Sequence, residues 1–199
     1  MITPVELLFA TSNINKTSEI RSALPQGFTL RSLSDLSRSF PDVDEPFESL
    51  EENAIHKART YAEMTGMNCF SEDTGLEVFS LQGEPGVRSA RYAGEPGDAQ
   101  KNIQKLLSNL IQSSDRKAQF RTVIALIMNE DVYRFEGICK GSIIYEQKGQ
   151  NGFGYDSVFI PDGSLYTFAE MNVEEKNRFS HRKKALGKMI EFLEERLSV

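Results

Sequence analysis

Hydrophobic and polar residues follow one another along this chain in blocks that have the lengths of strands and helices. The apolar run Glu6–Thr11 predicts a short buried strand, and the polar turn after it leads into a predicted helix over Lys16–Leu24. Apolar residues at helical spacing predict a second helix over about Leu50–Thr65, which Gly66 ends. The chain therefore opens with a strand, a polar turn and a helix.

An acidic pair interrupts the next apolar block. Apolar residues precede Glu72 and Asp73, and β-type alternation resumes at Leu76, so the pattern predicts a strand, an acidic turn and a second strand. Glycine and proline punctuate residues 83–97, which predicts a long loop. Asp98 is then predicted to cap a helix. The apolar stripe of that helix consists of Ile103, Leu106, Leu107, Leu110 and Ile111.

The second half of the chain contains a predicted hairpin. Phe120–Met128 and Val132–Ile144 have strand patterns, and Asn129–Asp131 joins them. After it we predict a glycine-rich loop, a strand and a final helix, over Gln147–Gly154, Tyr155–Ile160 and about Val173–Leu197. The core stripe of that helix is predicted to consist of Leu186, Met189, Ile190, Leu193 and Leu197.

Strands that alternate with helices, together with one hairpin, predict an α/β fold with a mixed twisted sheet flanked by helices. The length of 199 residues favours a single domain over 1–199, or two lobes that share a core. Hydrophobic residues make up 39% of the chain, which is enough to build such a core.

Composition narrows the classes of function. The net charge of −6 and the isoelectric point near 5.1 argue against nucleic-acid binding, although lysines gathered in one cleft could still hold a small polyanion. Cys69 and Cys139 lack CxxC spacing, which favours a reduced cytoplasmic protein with no zinc site. The apolar run Leu7–Ala10 is too short for a signal or a membrane segment, so we expect no membrane association.

The Glu72–Asp73 pair is the first candidate for chemistry. Adjacent carboxylates repel each other, and burying either is costly unless a cation or a hydrogen-bond donor compensates. A divalent metal ion is one such cation, and Glu45 could reach the pair and complete its site. The alternative is an ordinary solvated turn.

The turn Thr11–Lys16 is a candidate anion site. A strand that runs into a helix exposes free backbone N–H groups at the positive end of the helix dipole, and Lys16 adds charge. The turn lacks the Walker pattern, so a P-loop is not supported. An ordinary helix cap remains the alternative.

Two further segments could hold a nucleobase. Phe153 lies between two glycines and is free to offer a ring face for stacking, although it could instead pack into the core. His181 and Arg182 could donate hydrogen bonds to a base carbonyl, and Lys176 could neutralise a phosphate. A solvated basic helix face and a structural histidine are the alternatives.

Taken together, these segments resemble the inosine triphosphate pyrophosphatase family, which hydrolyses non-canonical purine nucleoside triphosphates. The resemblance covers nearly the whole chain, in family order and at family spacing. The matching segments are residues 10–16 with Glu19, residues 52–59, 71–77, 85–94, 152–156 and 167–171, then Lys176 and residues 180–182.

The resemblance implies a mixed sheet, two lobes with a central substrate cleft, a Mg²⁺-dependent reaction and a homodimer. Asp73 matches the proton acceptor and a metal ligand, and Glu45 matches the other metal-binding acid. The implied substrate-binding residues are Thr11, Ser12, Asn13, Ile14, Asn15, Lys16, Lys57, Thr74, Phe153, Gly154, Tyr155, Asp156, Lys176, His181 and Arg182. The chain departs from the common pattern at Asn15, Glu72, Thr74 and Ser157, and none of these changes removes a charged role.

The implied reaction converts ITP, dITP or XTP into the nucleoside monophosphate and pyrophosphate. A pyrophosphatase for another modified nucleotide, such as the Maf-like proteins of similar fold, is the nearest alternative. A nucleotide-binding module without catalytic activity is an alternative from another class.

Overall fold

A computed structural model describes residues 4–12 and 14–197. Its strands are β1 Val5–Phe9, β2 Phe28–Ser32, β3 Asn68–Val78, β4 Pro85–Gly86, β5 Lys117–Met128, β6 Asp131–Ile143 and β7 Phe159–Pro161. Its α-helices are α1 Ile14–Ala23, α2 Leu50–Thr65, α3 Ala99–Asn109, α4 Val173–Phe179 and α5 His181–Leu197.

Within the described residues, seven strands form one mixed sheet in the order β2-β1-β3-β5-β6-β7, with β4 paired to β3. Strand β1 is parallel to both of its neighbours, and Leu7 pairs with Leu30 on one side and with Asn68 on the other. Strands β4 and β7 pair antiparallel to β3 and β6. The predicted α/β fold with a mixed sheet and flanking helices is confirmed.

The chain divides into two compact units. The first contains the chain up to Asp73, Val123–Glu136 and the chain from Ala185 onward. Its core includes the stacked rings of Phe9 and Phe70, whose centroids are 4.6 Å apart.

The second unit consists of Thr74–Thr122 and Gly137–Lys184. An aromatic group built from Phe120, Phe159 and Phe168 lies at its core. Each unit therefore has its own buried cluster.

Local sequence signals account for the ends of two helices. Ser49 precedes α2 and accepts a hydrogen bond from the backbone N–H of Glu52, and Gly66 ends the helix in the left-handed conformation at φ 70°. Asp98 caps α3, as predicted, by accepting from two backbone N–H groups. The predicted core stripe of α3 is wrong at Ile111, which lies after the helix and is 79% exposed.

Three predicted elements need correction, and strand β2 was not predicted at all. The acidic turn at Glu72–Asp73 does not exist, because β3 runs through both residues without a break. The predicted strand Tyr155–Ile160 is a 3-10 turn over Asp156–Val158 followed by the short β7. Backbone hydrogen bonds within residues 153–158 favour the turn over an extended strand.

The predicted final helix is two helices that Ser180 separates. The backbone of Ser180 is not helical, with ψ 116°, which ends α4. Its hydroxyl then accepts a hydrogen bond from the N–H of Lys183 at 3.2 Å, so Ser180 caps the start of α5. In the predicted stripe, Leu186, Met189 and Leu193 are buried and Ile190 packs against them, whereas the side chain of Leu197 lies outside the described part.

Candidate active site

The residues that the sequence predicts for a site divide between the two units. Thr11, Ser12, Lys16, Glu45, Lys57 and Asp73 belong to the first unit, and Thr74, residues 153–156, Lys176, His181 and Arg182 belong to the second. Asn13 lies outside the described residues, and so do the side chains of Ile14 and Asn15.

In the first unit, a lysine compensates the buried member of the acidic pair. The Glu72 side chain is only 3% exposed, and its Oε1 lies 2.7 Å from Nζ of Lys16. The compensating cation is therefore an ammonium group supplied by α1. Asp73, the next residue of β3, is half-buried. This arrangement explains why a strand continues where the sequence pattern predicted an acidic turn.

A second acid and lysine pair forms beside α2. Glu45 lies in the segment before the helix, and its carboxylate is ion-paired with Lys57. Asn53 fixes that segment, because its side chain accepts from the N–H of Phe47 at 2.9 Å and donates to the carbonyl of the same residue at 3.0 Å. Asn53 is buried, and sequence reasoning gave it no role. Its position inside an amphipathic helix was the available signal.

The predicted anion site has the expected local architecture. Strand β1 ends at Phe9 and helix α1 begins at Ile14, so a short connection joins the strand to the N-terminus of the helix. The carbonyl of Thr11 accepts from the N–H of Leu33, which anchors the turn, and Ser12 is exposed.

In the second unit, Asp156 organises the segment Gly152–Gly154, which we call the Gly-Phe-Gly loop. Its Oδ2 accepts a hydrogen bond from the N–H of Phe153 at 2.9 Å and from Nζ of Lys176 at 2.5 Å. Gly152 has φ 76°, and a side chain there would overlap the Asp156 carboxylate. Asp156 itself is buried.

The ring of Phe153 is 74% exposed, so the alternative in which it packs into the core is wrong. Nζ of Lys176 lies 5.3 Å from the centre of that ring and 5.2 Å from the centre of Phe168. The loop therefore presents an aromatic face beside a positive charge.

The side chain of Tyr155, by contrast, is buried in the protein interior. Its hydroxyl donates to the carbonyl of Ser89 at 3.0 Å. Burial raises the pKa of Tyr155 well above its ordinary value. The side chain therefore anchors the Gly-Phe-Gly loop to the segment that contains Ser89.

His181, the first residue of α5, stacks on an aromatic ring that sequence reasoning did not single out. The ring centroids of His181 and Phe120 are 5.0 Å apart, with an interplanar angle of 13°. Phe120 in turn packs edge-on against Phe159 at 4.8 Å. In the sequence, Phe120 lies between the polar residues Gln119 and Arg121, and this alternation was the available signal for an inward-facing ring. Arg182 follows His181 and is half-buried.

The hydroxyl groups of Thr74 and Thr122 lie 2.7 Å apart. Thr122, on β5, is fully buried and was also not singled out from the sequence. On the opposite face of β5, Arg121 and Gln119 bind the two carboxylate oxygens of Glu77 at 2.8 and 2.7 Å. Both faces of β5 therefore carry polar contacts to β3.

Among the described side chains, no group of three or more histidine, cysteine, aspartate or glutamate residues is placed to hold a metal ion. Both cysteines are buried free thiols. None of the described helices is long and apolar enough to cross a membrane.

Comparison with known proteins agrees with this fold. The Ham1 family matches residues 7–192. A protein named dITP/XTP pyrophosphatase from Flavobacterium johnsoniae is 47% identical over 95% of this chain and 98% of its own length. A protein of the same name from Christiangramia forsetii is 46% identical over 95% of this chain and 99% of its own length.

A solved structure of a related protein also matches this fold. A HAM1 protein from Coxiella burnetii superimposes with a TM-score of 0.91 at 37% identity, over 96% of this chain and 99% of that one. With a sequence match that spans most of the chain and a shared fold over almost its full length, the chain belongs to the Ham1 family.

Proposed function

We propose that this protein hydrolyses the non-canonical purine nucleoside triphosphates ITP, dITP and XTP to the monophosphate and pyrophosphate. The observation that carries the proposal is the identity of 46–47%, over nearly the full length, to relatives named dITP/XTP pyrophosphatase. This reaction would remove deaminated purines from the nucleotide pool.

Asp73 is the proposed general base. A water oxygen attacks the α-phosphorus, its proton passes to the Asp73 carboxylate, and the bond between the α-phosphorus and the bridging oxygen breaks. Pyrophosphate leaves with that oxygen. The match of Asp73 to the proton acceptor of the resembled family supports this role.

Three lysines are the proposed phosphate ligands. Lys16, Lys57 and Lys176 each lie beside a carboxylate, that of Glu72, Glu45 and Asp156 in turn. These carboxylates keep the ammonium groups ordered, and each ammonium group has three hydrogens to donate, so a triphosphate oxygen can bind it as a second anionic partner. The lysines would then stabilise the charge that develops on the pyrophosphate leaving group.

Glu45 and Asp73 are the proposed ligands of Mg²⁺, with Glu72 as an auxiliary carboxylate. Carboxylate oxygens suit this hard cation, which commonly uses one or two of them together with substrate phosphates and water, so a cluster of three protein ligands is not required. The bound ion would neutralise phosphate charge and orient the α-phosphate.

Phe153, His181 and Arg182 are the proposed base-binding residues. The exposed ring of Phe153 offers a stacking surface, an interaction worth about 1–3 kcal/mol per base in single-strand binders. Donors on His181 and Arg182 would meet the 6-oxo group of hypoxanthine or xanthine. Adenine carries an amino donor at that position, so those donors would be left unpaired against it. The proposed substrate-binding set is completed by Thr11, Ser12, Asn13, Ile14, Asn15, Thr74, Gly154 and Tyr155, of which Tyr155 would bind through its backbone because its side chain is buried.

The test is pyrophosphate release from deaminated and canonical triphosphates, with and without Mg²⁺, by the wild type and Asp73→Asn. We expect Mg²⁺-dependent release from dITP and XTP that the variant loses. A variant with wild-type activity would contradict the role of Asp73. Tight ITP binding without pyrophosphate release would indicate a binding module, and a preference for other modified nucleotides would indicate a Maf-like specificity.

A homodimer and a cytoplasmic location complete the proposal. The family resemblance supports the dimer, and the two buried free thiols support a reducing compartment. Light scattering at micromolar concentration would measure the oligomeric state directly.

A further inference from the structure

A hydroxyl pair links two neighbouring strands in the second unit. Oγ1 of Thr122, on β5, lies 2.7 Å from Oγ1 of Thr74, on β3, and the distance alone allows either group to be the donor. Thr122 is fully buried, whereas Thr74 is only partly buried. The two hydroxyls therefore differ in their access to other partners.

Burial decides the direction of this hydrogen bond. Within the described part of the chain, the hydroxyl of Thr122 has that of Thr74 as its hydrogen-bond partner. If Thr122 accepted, its own hydrogen would point into the interior with no acceptor, which is costly. Thr122 therefore donates and Thr74 accepts. Each hydroxyl has one hydrogen, so that of Thr74 is not donated to Thr122 and serves an acceptor other than Thr122.

We propose that Thr122 is a positioning residue that holds Thr74 as a hydrogen-bond donor toward an acceptor oxygen of the substrate. The inference rests on the proposed function, in which Thr74 contacts a nucleoside triphosphate. Phosphate oxygens accept hydrogen bonds but do not donate them, so a threonine hydroxyl that accepts from Thr122 and keeps its own hydrogen for another acceptor is suited to them. Without Thr122, the hydroxyl of Thr74 can rotate and donate elsewhere.

Strand β5 supports the proposal by its alternation. Phe120 and Thr122 are two residues apart on β5, so their side chains share one face of the strand. Phe120 lies against His181, and Thr122 lies against Thr74. One face of a single strand thus backs two of the proposed substrate-binding residues.

Two substitutions separate the hydroxyl from the volume of the side chain. Thr122→Val keeps the shape and removes the hydroxyl, whereas Thr122→Ser keeps the hydroxyl and removes a methyl group. We expect Thr122→Val to lower kcat/KM for dITP by roughly 3- to 10-fold, the effect of about one hydrogen bond. We expect Thr122→Ser to stay within about 2-fold of the wild type. A packing role predicts the reverse order.

A double-mutant cycle with Thr74→Val completes the test. If Thr122 acts through Thr74, Thr122→Val should cause no further loss in the Thr74→Val background. Additive losses, or full activity of Thr122→Val in the wild-type background, would overturn the inference while leaving the proposed function intact. A wild-type protein that releases no pyrophosphate would instead overturn the proposed function and, with it, the role of the pair. Thermal unfolding of each variant confirms that the folded protein is assayed.

Discussion

The imidazole of His181 lies almost parallel to the ring of Phe120, with centroids 5.0 Å apart and an interplanar angle of 13°. Phe120 is itself held by Phe159 and Phe168. The plane of the imidazole is therefore set by a buried aromatic group, and the direction in which its nitrogens point follows from that plane.

If His181 binds the purine base, as proposed, this stack makes Phe120 a positioning residue for base recognition. We expect Phe120→Leu to lower kcat/KM for dITP by roughly 3- to 10-fold, because an aromatic pair contributes about 0.5–1.5 kcal/mol beyond its buried area. The loss of kcat/KM for dATP should be smaller, so the ratio of kcat/KM for dITP to that for dATP should fall. Steady-state kinetics with both substrates measures it. Phe120→Tyr should keep the ratio.

Phe135→Leu is the matched control for Phe120→Leu. Phe135 is buried to the same degree, and its ring packs on Phe192 in the first unit. An equal change in the dITP to dATP ratio in the two leucine variants would contradict the role of Phe120.

The Lys16–Glu72 pair contributes to stability as well as to the proposed site. Lys16→Met leaves the Glu72 carboxylate buried without that cation, so we expect a loss of about 1–3 kcal/mol in the free energy of unfolding. Urea denaturation at neutral pH measures this loss. Adding Glu72→Gln to Lys16→Met should restore part of it, because the buried charge is removed.

Arg21→Met provides the comparison for Lys16→Met. Arg21 pairs with Asp35 at 2.9 Å, but the two side chains are 52% and 40% exposed, so we expect a loss below about 1 kcal/mol. Equal losses for Lys16→Met and Arg21→Met would show that the burial of Glu72 does not increase the contribution of its ion pair to stability.

Asp156 is expected to control substrate affinity through the loop it organises. Asp156→Asn keeps an acceptor for the N–H of Phe153 but removes the charge that holds Lys176. A hydrogen bond to a charged group contributes about 1.5–3 kcal/mol, so we expect the KM for dITP to rise by roughly 10- to 100-fold. Asp162→Asn, an exposed acid in the same unit, should leave KM unchanged. Identical KM values for Asp156→Asn and Asp162→Asn would contradict the role of Asp156 in substrate affinity.

The buried thiols should make stability fall at high pH. Burial raises the pKa of Cys69 to about 12 and that of Cys139 to about 11, from an ordinary value of 9.0. Because the folded-state pKa lies above the unfolded one, the contribution of each thiol is fully present below pH 9 and is lost as pH rises toward 11–12.

Cys139→Ala isolates one of these contributions. The stability difference between wild type and variant should stay constant up to pH 9 and then narrow, by at most about 1.4 kcal/mol per pH unit. Urea denaturation between pH 7 and 10.5 measures it. A difference that does not change above pH 9 would show that the Cys139 thiol titrates normally in the fold.

Predictions from the sequence succeeded where neighbours along the chain decide the structure. Helix α2 has the predicted bounds because its capping serine and its terminal glycine lie within a turn of its ends. The hairpin between β5 and β6 was likewise predictable, since Asn129 and Glu130 adopt the positive φ angles of 50° and 72° that a tight two-residue turn needs. The motifs that indicate the family are also contiguous stretches of sequence.

The prediction of a turn at Glu72 failed because a distant residue, Lys16, changes the cost of burial. By itself, the chain determined an α/β fold, the order of its main elements and the set of candidate site residues, because periodicity and capping act over a few residues. Only the tertiary structure decided that Glu72 continues a strand, since Lys16 on another element compensates its charge. It also decided which side chains support the site, because contacts such as Thr74 with Thr122 and His181 with Phe120 form between residues that are far apart in sequence.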